Sequence, residues 1–187
     1  MEFTPITSLL IEHRLIERMI ELMKINLPRI KEKEEVDLDF SNFIESATDF
    51  MKTYADRCHH GKEEEILFER LAFKKLLPEH KKAMDDLVLE HIRARKILGE
   101  LAGAREAFKK KNISMINSIT TNISKFVEFY PAHVQKEEAS FFEPSMEYFS
   151  QREQEEMLQK FWEFDKYLIH EKYIQIVEHF ENKKSEL

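Results

Sequence analysis

Four histidines and two glutamates stand where chemistry, not packing, would explain them. His13, His91 and His133 each take a position on a helical apolar stripe that Leu or Ile would otherwise fill. Glu64 and Glu137 follow His60 and His133 by four residues, one helical turn on and on the same face. A buried, unpaired carboxylate is very unfavourable, so carboxylates on such a face are normally paired or bound to metal. Four imidazoles and two carboxylates converging in one interior need a shared cationic partner. Histidine with carboxylate and no thiolate suits iron, manganese or zinc better than calcium or magnesium. Six ligands exceed what one tetrahedral zinc takes, so two metal ions are the economical reading. The His-x-x-x-Glu spacing alone is weak, because His13–Glu17 and His59–Glu63 match it too in a chain this rich in glutamate. His60 is preferred to His59 because it shares the face of Glu64, Leu67 and Leu71, whereas His59 points about 100° away on a regular helix.

The elements that must position these residues are helices. Thr4 can cap a first helix with Pro5 at its tolerant opening position, striped by Leu9, His13, Ile16, Ile20, Met23, Leu27 and Ile30. The charged run Lys31 to Glu35 reads as a turn. A second helix starts near Asp37 or Asp39 and passes Phe43, Ala47, Phe50, Tyr54, His60, Glu64, Leu67 and Leu71. Pro78 opens a third, with Met84, Leu87, His91, Ala94, Leu98, Leu101 and Phe108 on its stripe. A fourth follows Asn112 through Ile116, Ile123, Phe126, Tyr130, His133, Glu137 and Phe141, and Pro131 inside it removes one hydrogen-bond donor. Ser150 and Glu153 form a capping-box pattern before a fifth helix carrying Phe161, Trp162, Ile169, Tyr173, Ile176 and Phe180. Short connections make long helices antiparallel neighbours. The expected fold class is therefore all-α: an antiparallel up-down four-helix bundle over about residues 5–148, with an additional C-terminal helix over about 150–184, in a single domain spanning 1–187. Counted from one end of such a bundle, the four histidines fall within roughly 7 Å along its axis, at 1.5 Å per residue.

Composition agrees with long helices. The chain has 187 residues, 42% of them hydrophobic and 35% charged, with only three glycines and five prolines. The net charge of −7 comes from interspersed acids and bases, without the basic stripe of a nucleic-acid binder. One cysteine, Cys58, excludes an internal disulfide framework and a Cys-rich zinc site and fits a reducing compartment. The first residues do not read as a secretory leader, and no run of 18 apolar residues reads as a membrane span. A cytoplasmic protein with neither nucleic acid nor membrane as partner is expected. No histidine has a glutamate three residues before it, which disfavours a ferritin-like site, and no His-Glu-x-x-His disfavours a zinc protease.

Here the residues resemble a known family, the hemerythrin-like or HHE cation-binding domain. The order His13, then His60-Gly-Lys-Glu-Glu64, then Glu90-His91, then His133-Val-Gln-Lys-Glu137 is similar to its signature, as are the strings Cys58 to Phe68, Tyr130-Pro131-Ala132-His133 and Phe142-Glu143-Pro144. The resemblance covers about residues 5–145. It implies a bundle with two non-haem iron ions bridged by carboxylates and by an oxo or hydroxo group. Carried over, Glu64 and Glu137 become the bridging carboxylates, and His13, His60, His91 and His133 terminal ligands. One departure stands out. The oxygen-carrying members have two histidines one turn apart on the third helix, whereas Leu87 and Arg95 flank His91 here. His170 is a possible additional ligand if the fourth helix runs on past Pro144 to about Phe149. His80 and His179 read as exposed, and Tyr54 and Tyr130 as neighbours of the site.

The function implied by the resemblance is binding or sensing of O2, or of nitric oxide. The alternatives are a di-iron enzyme acting on peroxide or O2, favoured by a coordination sphere short of one histidine, and iron storage or iron homeostasis. Whether the chain is an enzyme, and whether the fifth helix packs on the bundle or forms a homodimer face, stay open in the sequence.

Overall fold

The computed structural model describes residues 4–32, 38–110, 112–165 and 169–184, and among them every regular element is helical, with no strand. Helix α1 spans Pro5–Glu32. The Thr4 hydroxyl accepts from the Thr7 amide at 3.2 Å, so the expected cap forms ahead of Pro5. The predicted turn begins inside helix at Lys31, and residues 33–37 lie outside the described residues.

The second helix is not a plain α-helix. After α2 (Leu38–Phe50) the chain continues as a π-helix over Met51–His60, then a second π segment over Glu63–Phe68, then a last α turn, α3 (Glu69–Ala72). Hydrogen bonds from i to i+5 widen each turn, and such segments are frequent at functional sites. Pro78 opens α4 (Pro78–Lys109) in its first turn, where a missing N–H costs nothing. After a 3₁₀ turn at Ile113–Met115 comes α5 (Ile116–Ser140), which runs through Pro131 without a break.

The C-terminal third answers one open condition, that on which His170 depended, and departs from one expectation. Helix α5 does not extend to Phe149: it ends at Ser140, and a short α6 (Phe142–Met146) follows, with Pro144 inside its first turn. The single long fifth helix is two helices, α7 (Gln151–Phe164) and α8 (Ile169–Lys184). The capping box at Ser150 and Glu153 forms as predicted. The helix stops at Asp165, whose carboxylate turns inward to bonds with Lys62 and Cys58 instead of continuing an amphipathic surface.

Two apolar clusters hold the helices together. One gathers Ile16, Met19, Phe50, Ile123 and Phe126 with Tyr173 and Val177 of α8. The other gathers Leu9, Leu67, Leu87, Phe141 and Phe142 with Met157 and Phe161 of α7. Each fully buried side chain of this size contributes about 1.5–3 kcal/mol relative to exposure. Between the two clusters lies a layer of buried histidine and glutamate, because α1, α4 and α5 each cross from one cluster to the other at His13, His91 and His133–Glu137. No described helix is long and apolar enough to cross a membrane.

Candidate metal centre

Five imidazoles meet in the polar layer, not four. His60, His91 and His133 form one group whose ligand atoms lie within 4.8 Å of one another, and His13, His59, Glu63 and Glu137 form a second on the same criterion. All seven are at most 2% exposed. The two carboxylates span the groups. Glu137 turns Oε2 to His13 Nε2 at 3.1 Å and Oε1 to His133 Nε2 at 3.3 Å. Glu63 turns Oε1 to His59 Nε2 at 3.5 Å and Oε2 to His91 Nε2 at 3.3 Å. Each glutamate therefore offers one oxygen to the three-histidine side and one to the two-histidine side.

Of the sequence-predicted residues, His13, His60, His91, His133 and Glu137 come together. Glu64 does not join them. It sits one carboxylate outside, accepting from His91 Nδ1 at 2.7 Å and from Arg95 at 3.1 Å. Glu63 takes the interior place, and His59, expected to point away, is buried beside it. The π turns are the cause. A regular helix separates adjacent residues by about 100°, whereas the wider turn lets His59 and His60 share the interior and moves the inward glutamate from Glu64 to Glu63. The sequence signal for His59 was the deficit beside His91, with His59-x-x-x-Glu63 as the matching pair; nothing in the pattern announces a π-helix.

His170 lies elsewhere. Its Nε2 faces Asp165 at 3.1 Å and its Nδ1 pairs with the Tyr54 hydroxyl at 2.9 Å, in a separate group with Glu12 and Cys58. Tyr130 does reach the centre, with its hydroxyl 3.2 Å from His60 Nε2. His179 is exposed, while His80 is half-buried against Tyr148.

The imidazoles are held from behind. His13 Nδ1 pairs with Glu138 at 2.8 Å, His59 Nδ1 with Glu12 at 2.9 Å, His91 Nδ1 with Glu64 at 2.7 Å and His133 Nδ1 with Glu90 at 2.9 Å. Each carboxylate is in turn gripped by a cation: Glu138 by Arg14, Glu12 by Lys62, Glu64 by Arg95 and Glu90 by Lys136. This arrangement fixes the tautomer that leaves Nε2 free toward the interior and raises ligand basicity. The cations also help hold Glu12, Glu64 and Glu90 ionised. The pKa values of Glu12 and Glu64 fall despite burial through the imidazole and cation beside each, and that of Glu90 falls through His133 and Lys136.

The donor set fits a pair of metal ions on a further observation. The Nε2 atoms of His13, His59, His91 and His133, Nδ1 of His60 and both oxygens of Glu63 and of Glu137 are buried without a hydrogen-bond partner. Each such atom costs roughly 1–3 kcal/mol when left unsatisfied, and all but His60 Nδ1, which faces Asp56 at 3.5 Å, belong to the two groups that meet in the polar layer. Protonation follows the same logic. Burial together with the neighbouring imidazoles holds His60 well below its ordinary pKa, and burial with His13 takes His59 to about 4, so both present the neutral form that metals bind. Burial and the Glu137 charge push Glu63 well up, whereas Glu137, against its burial, is drawn well down by His133, His13 and His91. Without a cation, one interior carboxylate keeps a proton that metal binding would displace.

The helices and this cluster define an all-helical cation-binding domain. The family model for the hemerythrin HHE cation binding domain matches residues 4–144, and the chain belongs to that family. No curated protein and no solved structure matches it significantly. All seven clustered residues fall within the matched span, while α7 and α8 lie outside it.

Proposed function

We propose that the chain is a non-haem di-iron protein that binds or senses O2, or nitric oxide, with His60, His91 and His133 holding one iron, His13 and His59 the other, and Glu63 and Glu137 bridging them. The observation that carries this reading is the set of eight buried, unpartnered atoms in one layer, four imidazole nitrogens and four carboxylate oxygens, with each of two carboxylates facing both histidine groups. Bound iron would supply reversible redox chemistry toward a diatomic ligand, each of the two ions giving up one electron. The chain's residues supply the rest. The imidazoles are aimed by Glu138, Glu12, Glu64 and Glu90. Phe142 stacks on His13 and Phe68 on His91, with ring centroids 5.5 and 6.0 Å away, which keeps water from those faces. A groove of about 730 Å³ between α1 and α5, floored by Ile20, Val127, Tyr130 and Val134, reaches within one side chain of the cluster at Tyr130 and Glu138, a path a small neutral molecule can use.

The case for turnover of peroxide or O2 rested on a coordination sphere one histidine short. His59 supplies a fifth imidazole, so the enzyme reading loses its ground in favour of binding or sensing. The reading takes the four ligand-bearing helical segments as an antiparallel up-down bundle in one domain, with α7 and α8 added to it. Metal analysis and an optical spectrum test it. Two irons per chain are expected, with bridge charge-transfer bands in air that vanish on anaerobic reduction and return with O2. As-isolated protein carrying zinc and no iron would sink it. More than two irons per chain would point to storage.

A further inference from the structure

Three of the four supports behind the imidazoles end at the surface. Glu138, Glu64 and Glu90 are each about one-quarter exposed, and their cations Arg14, Arg95 and Lys136 reach solvent. The support behind His59 does not. Glu12 and Lys62 are both fully buried, and Lys62 needs a second anion where a surface cation would find water. It finds Asp165, at 2.6 Å, at the C-terminal end of α7. Asp165 also accepts from the Cys58 thiol at 3.3 Å and faces His170 of α8 at 3.1 Å. A continuous line of polar contacts thus runs from His59 through Glu12 and Lys62 to a segment outside the family match.

We propose that Asp165 is a positioning residue for the two-histidine half of the centre: by clamping Lys62 against Glu12 it fixes the His59 imidazole, so that the helices after residue 144 are part of the metal centre and set how tightly that one ion is held. The inference rests on the di-metal reading above. Its physical basis is that a buried lysine with a single carboxylate partner turns toward any other available anion or toward water, and Glu12 then no longer holds one orientation. The same line does not touch His60, His91 or His133, so the effect is confined to one ion. The group of Glu12, Cys58, Asp165 and His170 is no second metal site, because the Lys62 ammonium already bonds both of its interior carboxylates.

The test uses the full chain loaded anaerobically with Fe²⁺ and challenged with a ferrous chelator, and in parallel the Co²⁺-substituted protein read by its visible bands. Asp165→Asn keeps the side chain's shape. It is expected to release one of two ions about 10-fold faster or more, the range that losing a residue behind a ligand produces. The other ion keeps its wild-type rate, and the Co²⁺ bands change for one equivalent only. Asp49→Asn is the control. Asp49 also holds α8, through Lys172 and Tyr173, but lies off this line, and it should leave both rates alone. Should Asp165→Asn fail to fold, the double variant Lys62→Met/Asp165→Asn removes the whole buried charge pair and should loosen the same ion. Wild-type release rates in the variant that folds, equal acceleration of both ions, or Asp49→Asn reproducing the effect would overturn the proposal. A wild-type chain that takes up no metal would sink the di-metal reading and this inference with it, and the wild-type arm alone reads that outcome.

Discussion

Two helical stretches carry a His-x-x-x-Glu pair into the same interior, and they do it with different backbones. In α5 the pair His133–Glu137 sits on a regular helix, in step with Phe126, Tyr130 and Phe141. In the stretch Met51–Phe68 the pair is His59–Glu63, on π turns, and the wider turn brings His60 in beside it. One turn of regular helix delivers two side chains to the buried cluster; the π stretch delivers three. The difference teaches that the count of side chains a helix presents to one interior depends on its hydrogen-bond register as well as on its sequence, and that the departure from α geometry falls where the extra imidazole enters the cluster.

The comparison can be broken most directly by removing the cations. If the π turns are sustained by what they hold, chelation should lower the melting temperature by roughly 10 °C, on the order of the 4 kcal/mol expected when ligand stands at about 1,000 times its Kd. Amide exchange should then rise first in Met51–Phe68. A uniform rise across Met51–Phe68 and α5 would mean that the π turns owe nothing to the metal. Next in size is the choice between adjacent glutamates. Glu63→Gln is expected to drop the metal content from two ions to one or none by elemental analysis. Glu64→Gln should keep both ions with affinity weakened about 10–100-fold; the reverse outcome would restore Glu64 to the interior. His59→Ala should lose one ion while His170→Ala keeps both, and two ions retained in His59→Ala would return the centre to four histidines. The smallest effect belongs to Gly61, between the two π segments. A Cβ there would meet Phe164 Cζ at 3.0 Å. Phe164 is 36% exposed and its ring can yield, and alanine gains about 1 kcal/mol of helix propensity. Gly61→Ala should melt within a few degrees of wild type, and a large loss in a thermal scan would show that the ring is fixed.

The regular parts of the molecule were legible in the sequence. The stripes of α1, α4 and α5 follow a 3.6-residue period, so His13, His91, His133 and Glu137 could be placed by counting, and Thr4, Pro78 and Ser150 marked their starts. Counting puts Glu64 on the inward face, where the structure has Glu63, because it assumes that period throughout, and a π turn leaves no mark in composition. The break between α7 and α8 was hidden for a related reason. Ile169 and Tyr173 continue the stripe of Phe161, and the buried Lys62 that Asp165 meets where the helix ends is a contact that only the three-dimensional packing brings together. Glu12, one residue from a predicted ligand, reads in sequence as an ordinary surface acid of a charged helix. Its burial follows from His59, which the same assumption had turned outward.

The polar layer lies between two apolar plugs, with Leu9, Leu67, Phe141 and Phe142 on one side and Ile16, Phe50, Ile123 and Phe126 on the other. Such walls act as a partition filter. A neutral diatomic dissolves in hydrocarbon and crosses by side-chain motion on fast timescales, whereas a hydrated cation or a chelator must wait for the helices to part. Under the proposed function, gas and metal therefore keep separate clocks. The first is set by diffusion through phenylalanine and leucine, the second by the opening rate of the bundle, so the protein can exchange its ligand many times over before it risks its iron.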